Sequence, residues 1–236
     1  MTDATPTGVS ATPVLAEDVL LLLFSPQSGV FRGEGSALFH TLAGAVLTDL
    51  ALQNQVEIDD RTTLRGRQVR AVGRPPADPL LRTPWERIAN RHTDVHSLIL
   101  EIGPGLRQTV IDRLVERGQI RIEKRKFLGL FPSSAVVDGG SSRRNELLDA
   151  VRPVLIDGTT PDVRTGALTG LLSASGQLPA LDPDIRWSGA VYTRGVALQK
   201  GDWGASAAGD AVAITTAAIL SNTLFLSLTV PAIRGD

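Results

Sequence analysis

Apolar positions along the chain follow two periods, and the helical one dominates. Leucine, valine, isoleucine and alanine recur every three or four residues in six stretches, which is the spacing of one face of an α-helix. These stretches predict helices over Leu15–Phe24, Ser36–Leu52 and Trp85–Leu100, a helix that ends at Gly118, a helix that begins after Ser142, and a helix over Thr159–Gln177. Two pairs of stretches alternate instead and predict β-hairpins, Gln55–Ile58 with Gln68–Val72 and Ile120–Ile122 with Phe127–Phe131. The chain is therefore predicted to be mainly α-helical with short β-hairpins.

The stretch from Arg107 to Ile156 is predicted to form a helix, a basic-tipped hairpin and a second helix. Gly118 stands where a glycine commonly ends a helix, and Ile120 and Ile122 then alternate with charged residues. The tip of this hairpin carries three consecutive cations, Lys124, Arg125 and Lys126. Four large apolar residues follow within five positions, namely Phe127, Leu128, Leu130 and Phe131. A two-stranded hairpin buries only one face, so we predict that part of this set points outward and joins copies of the chain.

Three other segments bear on the organisation of the chain. Residues 1–13 are rich in Thr, Pro and Gly and predict a disordered tail, which leaves residues 14–236 as a single domain. Thr160, followed by Pro161, predicts the N-cap of the helix in this region. Ala211–Ile233 carries no charge, but its Thr, Ser and Asn residues favour a buried core helix over a membrane span.

Charge and cysteine content narrow the class of protein. The formal net charge is −1, which argues against a globally basic nucleic-acid binder. The chain has no cysteine, so it has neither disulfides nor thiolate chemistry, as is typical of a cytoplasmic protein. Its first residues lack the charged and apolar segments of a signal peptide.

No catalytic pattern stands out. The sequence has no G-x-S-x-G elbow, no phosphate-binding G-x-x-x-x-G-K-[ST] loop and no G-x-G-x-x-G turn. His92 and His96 have a spacing that can hold a metal, but HTDVH lacks the glutamate of the metalloprotease pattern, so we expect a surface pair and no metal site. The sequence predicts a non-enzymatic protein without a cofactor.

Four segments, in this order, resemble the Golgi phosphoprotein family. They are LAEDVLLLLF from Leu15, LAGAVLTDLALQNQVEID from Leu42, LVERGQIRIEKRKFLGLF from Leu114 and TTPDVRTGALTGLL from Thr159. Eukaryotic members of that family bind phosphatidylinositol 4-phosphate on Golgi membranes, and bacteria have shorter relatives. The resemblance implies a helical bundle core with surrounding amphipathic helices and a hairpin through which subunits assemble. It implies a peripheral-membrane or adaptor protein, cytoplasmic or on the inner face of a membrane.

The resemblance also implies where a lipid headgroup would bind. Aligned without gaps, the four headgroup positions of the family fall on Glu34, Ala43, Pro104 and Arg107, and only Arg107 matches. A phosphomonoester is held by several convergent donors. The candidate residues for binding an anionic phospholipid headgroup are therefore Arg107, Lys124, Arg125 and Lys126.

Two other classes of function fit the same helix and hairpin. A helix followed by a basic hairpin also looks like a winged-helix DNA reader, but this helix mixes Asp112 and Glu116 with Arg113 and Arg117, which suits phosphate approach poorly. We therefore expect no nucleic-acid partner. The other alternative is a scaffold whose hairpin binds protein partners.

Overall fold

A computed structural model describes residues 12–33, 36–63, 66–91, 93–127, 131–203 and 216–220. These ranges contain the α-helices α1 (Leu15–Leu23), α2 (Ser36–Leu52), α3 (Pro79–Asn90), α4 (Val95–Glu116), α5 (Arg143–Ile156), α6 (Val163–Ala174) and α7 (Gly189–Gln199), and a further helical segment over residues 216–220. A 3₁₀ turn spans Leu178–Leu181. The strands are β1 (Phe24–Ser25), β2 (Val30–Phe31), β3 (Val56–Thr63), β4 (Gly66–Ala71), β5 (Thr93–Asp94), β6 (Ile120–Phe127) and β7 (Phe131–Asp138). The predicted fold class, mainly α with short β-hairpins, is confirmed.

Helix α1 lies at the centre of the molecule. Every one of its nine residues is buried, as its nearly unbroken apolar sequence predicts. Helices α2, α4, α5 and α6 all pack against it. The predicted bundle core is thus built around a short helix whose first turn carries two buried carboxylates, Glu17 and Asp18.

The hairpin of β3 and β4 is extended by a third strand, β5, that the sequence pattern did not predict. Strands β3 and β4 pair antiparallel as predicted, and β5 then pairs with β4 through Gln68 opposite Asp94 and Val69 opposite Thr93. The prediction of one helix over Trp85–Leu100 is therefore wrong, because the chain is extended between α3 and α4. The Asp94 side chain also accepts a hydrogen bond from the Ser97 backbone N–H, which starts α4 afresh.

The predicted N-cap at Thr160 is also wrong, since α6 begins later. The Asp162 carboxylate accepts hydrogen bonds from the backbone N–H of Thr165 at 3.0 Å and from its hydroxyl at 2.6 Å. Partial burial would raise the pKa of Asp162, but these hydrogen bonds outweigh it and hold the pKa below its ordinary value. Pro161 therefore precedes the cap and does not open the helix.

The predicted order of helix, hairpin and helix over residues 107–156 is confirmed as α4, β6–β7 and α5. The second strand was predicted over Phe127–Phe131 but runs over Phe131–Asp138. The predicted basic tip is also wrong, because Lys124, Arg125 and Lys126 lie within β6 and pair with β7. Gly118 ends α4 in the left-handed conformation with φ 67°. The backbone N–H of Gly118 donates to Val115 and that of Gln119 to Leu114, which is the double hydrogen bond of a Schellman motif. This tight ending reverses the chain into β6.

Several predictions fall partly or wholly outside the described residues. Residues 1–11 and His92 lie outside them, as does most of Ala211–Ile233. Residues 216–220 are helical, and Ile219 and Leu220 are fully buried, as a core helix requires. Among the helices that the structure describes, none is long and apolar enough to cross a membrane.

Candidate anion-binding surface

Arg107 lies over an aromatic ring on the surface of the bundle. It is half-buried on α4, and its guanidinium carbon is 5.5 Å from the centre of the Phe31 ring. Phe31 is itself buried and contacts Phe24, with 5.4 Å between the ring centres. A ring fixed in this way orients the guanidinium and adds a cation–π attraction. Arg107 is therefore held in one place, as a headgroup ligand has to be.

Arg32, which follows Phe31, connects strand β2 to the loop between the 3₁₀ turn and α7, residues 182–188. Arg32 donates one hydrogen bond to the Ala180 carbonyl at 2.9 Å and another to the Asp182 carbonyl at 2.8 Å. From the other side, Arg144 of α5 donates to the Asp184 carboxylate at 2.5 Å. The loop that follows the 3₁₀ turn is thus fixed against the surface that carries Arg107.

The other headgroup positions of the resemblance do not form a pocket with Arg107. Ala43 is fully buried in α2, so its position in this fold faces the core and not solvent. Pro104 is exposed on α4, one turn before Arg107, but offers no donor. Glu34 lies outside the described residues. Arg107 alone keeps a charge suited to an anion.

Part of strand β6, in the hairpin that it forms with β7, is exposed to solvent on both of its faces. Consecutive residues of a strand point to opposite faces, yet Arg121, Ile122, Glu123 and Lys124 are all exposed. Strand β6 pairs only with β7 among the described strands. We call β6 and β7 the hairpin arm. It presents Lys124 to solvent, opposite Ser134 on β7.

The remaining predicted hairpin residues are placed by backbone register only. Arg125 pairs with Ser133, Lys126 with Pro132, and Phe127 with Phe131 at the far end of the arm. The side chains of Arg125, Lys126, Phe127 and Phe131, and all of Leu128 and Leu130, lie outside the described residues. The predicted cations thus occupy two elements, with Arg107 in the bundle and Lys124 on the arm.

Sequence reasoning missed a buried ion cluster between α1 and its neighbours. On one side of α1, Arg113 donates to Glu17 at 3.0 Å and to both carboxylate oxygens of Asp78 at 3.1 and 2.7 Å. Arg117 donates to the same Glu17 carboxylate at 2.8 Å. Each of these groups is mostly or wholly buried. Arg113 of α4 and Arg117 at its C-cap are therefore neutralised inside the protein.

The other side of α1 repeats this arrangement with different partners. Arg143 and Arg164 both donate to Asp18 at 2.8 Å, and Arg164 also reaches Asp49 on α2. The Leu15 N–H donates to Asp49 at 2.7 Å. Burial raises the pKa of Asp49, while the charge of Arg164 acts in the opposite direction. We call these eight residues the ion cluster: Glu17, Asp18, Asp49, Asp78, Arg113, Arg117, Arg143 and Arg164.

The ion cluster explains why positive and negative residues alternate at the end of α4, and it argues further against DNA binding. A DNA-reading helix needs its arginines in solvent, whereas Arg113 is only 6% exposed and is bound on two sides by carboxylates. One feature of the sequence could have indicated the ion cluster: Asp49 interrupts an otherwise apolar run. A charge at such a position is buried and requires a partner.

A groove lies between α3 and α4. Its volume is about 560 Å³, and its walls are largely apolar, formed by Leu80 and Pro84 on α3 and by Ile102 and Leu106 on α4. None of the residues predicted to bind lipid lines it. Among the described residues, no group of three or more His, Asp or Glu side chains is arranged to hold a metal ion.

Comparison with known proteins identifies a family. The family model described as Golgi phosphoprotein 3 (GPP34) matches residues 15–215, which includes every helix from α1 to α7. A search of the curated proteins found no match.

Proposed function

The chain belongs to the Golgi phosphoprotein 3 family, and on that premise we propose that it is a peripheral-membrane adaptor that binds anionic phospholipid headgroups. Its ligands for the lipid surface are Arg107 and the basic residues of the hairpin arm, Lys124, Arg125 and Lys126. It acts by binding and not by catalysis, on the inner face of a membrane. The observation that carries the proposal is the middle of strand β6, where Arg121, Ile122, Glu123 and Lys124 are all exposed to solvent.

The binding should be weak and unselective among anionic headgroups. A phosphoinositide pocket needs several convergent donors, and of the family's four headgroup positions only Arg107 keeps a cation. Cations on an exposed arm attract any negative surface, each contributing about 1 kcal/mol at low salt. Such attraction is screened over about 8 Å at physiological salt.

We expect the protein to sediment with phosphatidylglycerol-rich vesicles in low salt and to be largely released at physiological salt. Replacing Lys124 and Arg125 together with alanine should weaken binding at low salt by roughly 30-fold, since two cations contribute about 2 kcal/mol. Vesicle co-sedimentation over a range of lipid concentrations measures the effect.

The matched control variant removes two positive charges from a part of the surface outside the hairpin arm. Arg74 and Lys200 are both exposed and lie outside the hairpin arm, so their double replacement by alanine should change binding by less than threefold or so. Equal losses in the two double variants would show that only net charge matters. Tight binding confined to phosphatidylinositol 4-phosphate would show that a specific headgroup pocket exists and that we have misplaced it.

We further propose that the hairpin arm joins copies of the chain. Ile122 is 49% exposed on β6, although a large apolar side chain on an exposed arm is costly in water. Phe127 and Phe131 pair at the far end of the same arm, and Leu128 and Leu130 stand between them in the sequence. A second copy would cover this apolar set.

Replacing Ile122, Phe127 or Phe131 with serine should lower the mass measured by light scattering while moving the melting temperature little. The matched control is Ile120→Ser on the same strand, because Ile120 is fully buried and its loss should cost about 2–5 kcal/mol. If Ile122→Ser, Phe127→Ser and Phe131→Ser leave the mass unchanged and one of them collapses the melting temperature, the arm belongs to the core and does not join copies.

A further inference from the structure

An exposed aromatic pair lies at the start of α7. Trp187 precedes the N-cap residue Ser188, and Tyr192 lies in the first turn of the helix. Their ring centres are 6.2 Å apart and the rings meet edge to face at 79°. Trp187 is 39% exposed and Tyr192 is 57% exposed. The pair therefore presents a rigid aromatic surface to the outside of the protein.

Trp187 differs from the other two tryptophans in its hydrogen bonding. Trp85 donates its indole N–H to the carbonyls of Gln55 and Val72, and Trp203 donates its indole N–H to the carbonyl of Leu198. The indole N–H of Trp187 has no acceptor among the residues that the structure describes, where all three tryptophans lie. It is available to an acceptor outside the protein.

A chain of contacts connects the aromatic pair to Arg107. The backbone N–H of Trp187 donates to the Asp182 carboxylate at 3.1 Å, and the Asp182 carbonyl accepts from Arg32 at 2.8 Å. Arg32 follows Phe31, on whose ring Arg107 lies. The loop before α7 therefore links the aromatic pair to the Phe31 ring that holds Arg107.

The charges around the aromatic pair favour an anionic partner. Four guanidinium groups contact or adjoin the loop before α7, whereas that loop carries two carboxylates, Asp182 and Asp184. Asp184 is already neutralised, since Arg144 binds it at 2.5 Å and Arg32 lies 3.8 Å away. The four are Arg32, Arg144, Arg152 and Arg186. Arg152 donates to the Asp184 carbonyl and also pairs with Asp149, and Arg186 is exposed beside Trp187.

We propose that Trp187 and Tyr192 form an aromatic anchor that enters the headgroup region of an anionic lipid bilayer. Tryptophan and tyrosine prefer this region because their rings are apolar while the indole N–H and phenol O–H bind lipid carbonyl and phosphate oxygens. The proposal rests on the proposed membrane function and adds to it the part of the protein that enters the bilayer. The proposal assigns two separate contributions to membrane binding. The cations attract the protein to the anionic surface, and the aromatic pair inserts into the headgroup region.

Tryptophan fluorescence on brominated vesicles tests the anchor directly, because bromine quenches only rings that enter the bilayer. The probe is a vesicle of phosphatidylglycerol and phosphatidylcholine brominated near the headgroup end of its chains, used in low salt. We expect quenching of the wild-type fluorescence and none for Trp187→Phe, which keeps a ring against Tyr192. The matched control is Trp85→Phe, which should remain quenched because it retains Trp187.

A second measurement uses the same vesicles without bromine. Trp187→Ala with Tyr192→Ala should lower the partition coefficient about tenfold or more in co-sedimentation, and the loss should persist at intermediate salt because it is not a loss of charge. A melting temperature within a few degrees of wild type would establish that the double variant is folded. Reduced binding by Trp187→Ala alone, with the melting temperature unchanged, supports the same conclusion.

The outcomes separate the anchor from the membrane function itself. Vesicle binding without quenching would overturn the anchor and leave the membrane function standing. Quenching that persists in Trp187→Phe would assign insertion to another tryptophan and overturn it as well. A fall in mass for Trp187→Ala by light scattering would make the pair a contact between copies instead. Absence of binding to any anionic vesicle would overturn both proposals.

Discussion

Replacing Arg113 with alanine should destabilise the protein by about 3–5 kcal/mol, the usual cost of removing one partner from a buried ion pair. Arg113 bridges Glu17 on α1 and Asp78 at the start of α3, and all three side chains are at most 8% exposed. Once Arg113 is removed, Arg117 still pairs with Glu17, but Asp78 keeps only the hydrogen bond from the Leu80 N–H that caps α3. A buried carboxylate with so few partners is strongly unfavourable.

Urea and thermal melts measure this loss. For a chain of this length each kcal/mol lowers the melting temperature by roughly 2–4 °C, so a fall on the order of 10 °C is expected. The matched control is Arg87→Ala, which breaks the exposed ion pair with Glu101 and should cost about 0–1 kcal/mol. Similar losses in the two variants would mean that water screens the ion cluster as it screens a surface pair.

The order of helices and hairpins could be predicted because the signals are local. An apolar run interrupted only by Glu17 and Asp18 predicts the buried helix α1, and Gly118 supplies the left-handed residue that ends α4. The break between α3 and α4 could not be predicted in this way. It depends on β5 pairing with Gln68 and Val69, about 25 positions earlier, and that pairing overrides the helical spacing.

The candidate site shows the same division between local and long-range information. The run of three consecutive cations predicted the exposure of Lys124. The alternation along β6 placed Ile122 on a buried face, but Ile122 is 49% exposed. The placement of Arg107 over Phe31 required a contact across 76 positions of sequence, and the pairing of Arg164 with Asp18 spans 146. No periodicity encodes such contacts. Only an isolated charge in an apolar run, such as Asp49, indicates that one exists.

Gly139→Ala should be destabilising because the base of the hairpin arm packs backbone to backbone on the end of α4. A Cβ at Gly139 would lie 1.9 Å from the Gly118 carbonyl oxygen and 2.6 Å from the Gln119 carbonyl carbon. Neither atom belongs to a side chain that could rotate away. The Gly139 N–H also donates to the Gln119 carbonyl at 3.0 Å, so the two segments are bonded where they would have to separate. Overpacking of this kind costs about 1–3 kcal/mol, and backbone contacts place Gly139 at the upper end.

Gly105→Ala is the matched control, and its effect should have the opposite sign. Gly105 lies within α4, and a Cβ there would meet nothing within 4 Å. Alanine in a helix interior is favoured over glycine by roughly 0.5–1 kcal/mol, because glycine loses more backbone freedom on folding. Urea melts of the two variants should therefore shift in opposite directions. If Gly139→Ala is as stable as wild type, the arm does not sit on the end of α4 as closely as the structure places it. The exposure of Lys124 and Ile122 would then have to be measured directly, because both the membrane and self-association proposals depend on the base of the arm being fixed there.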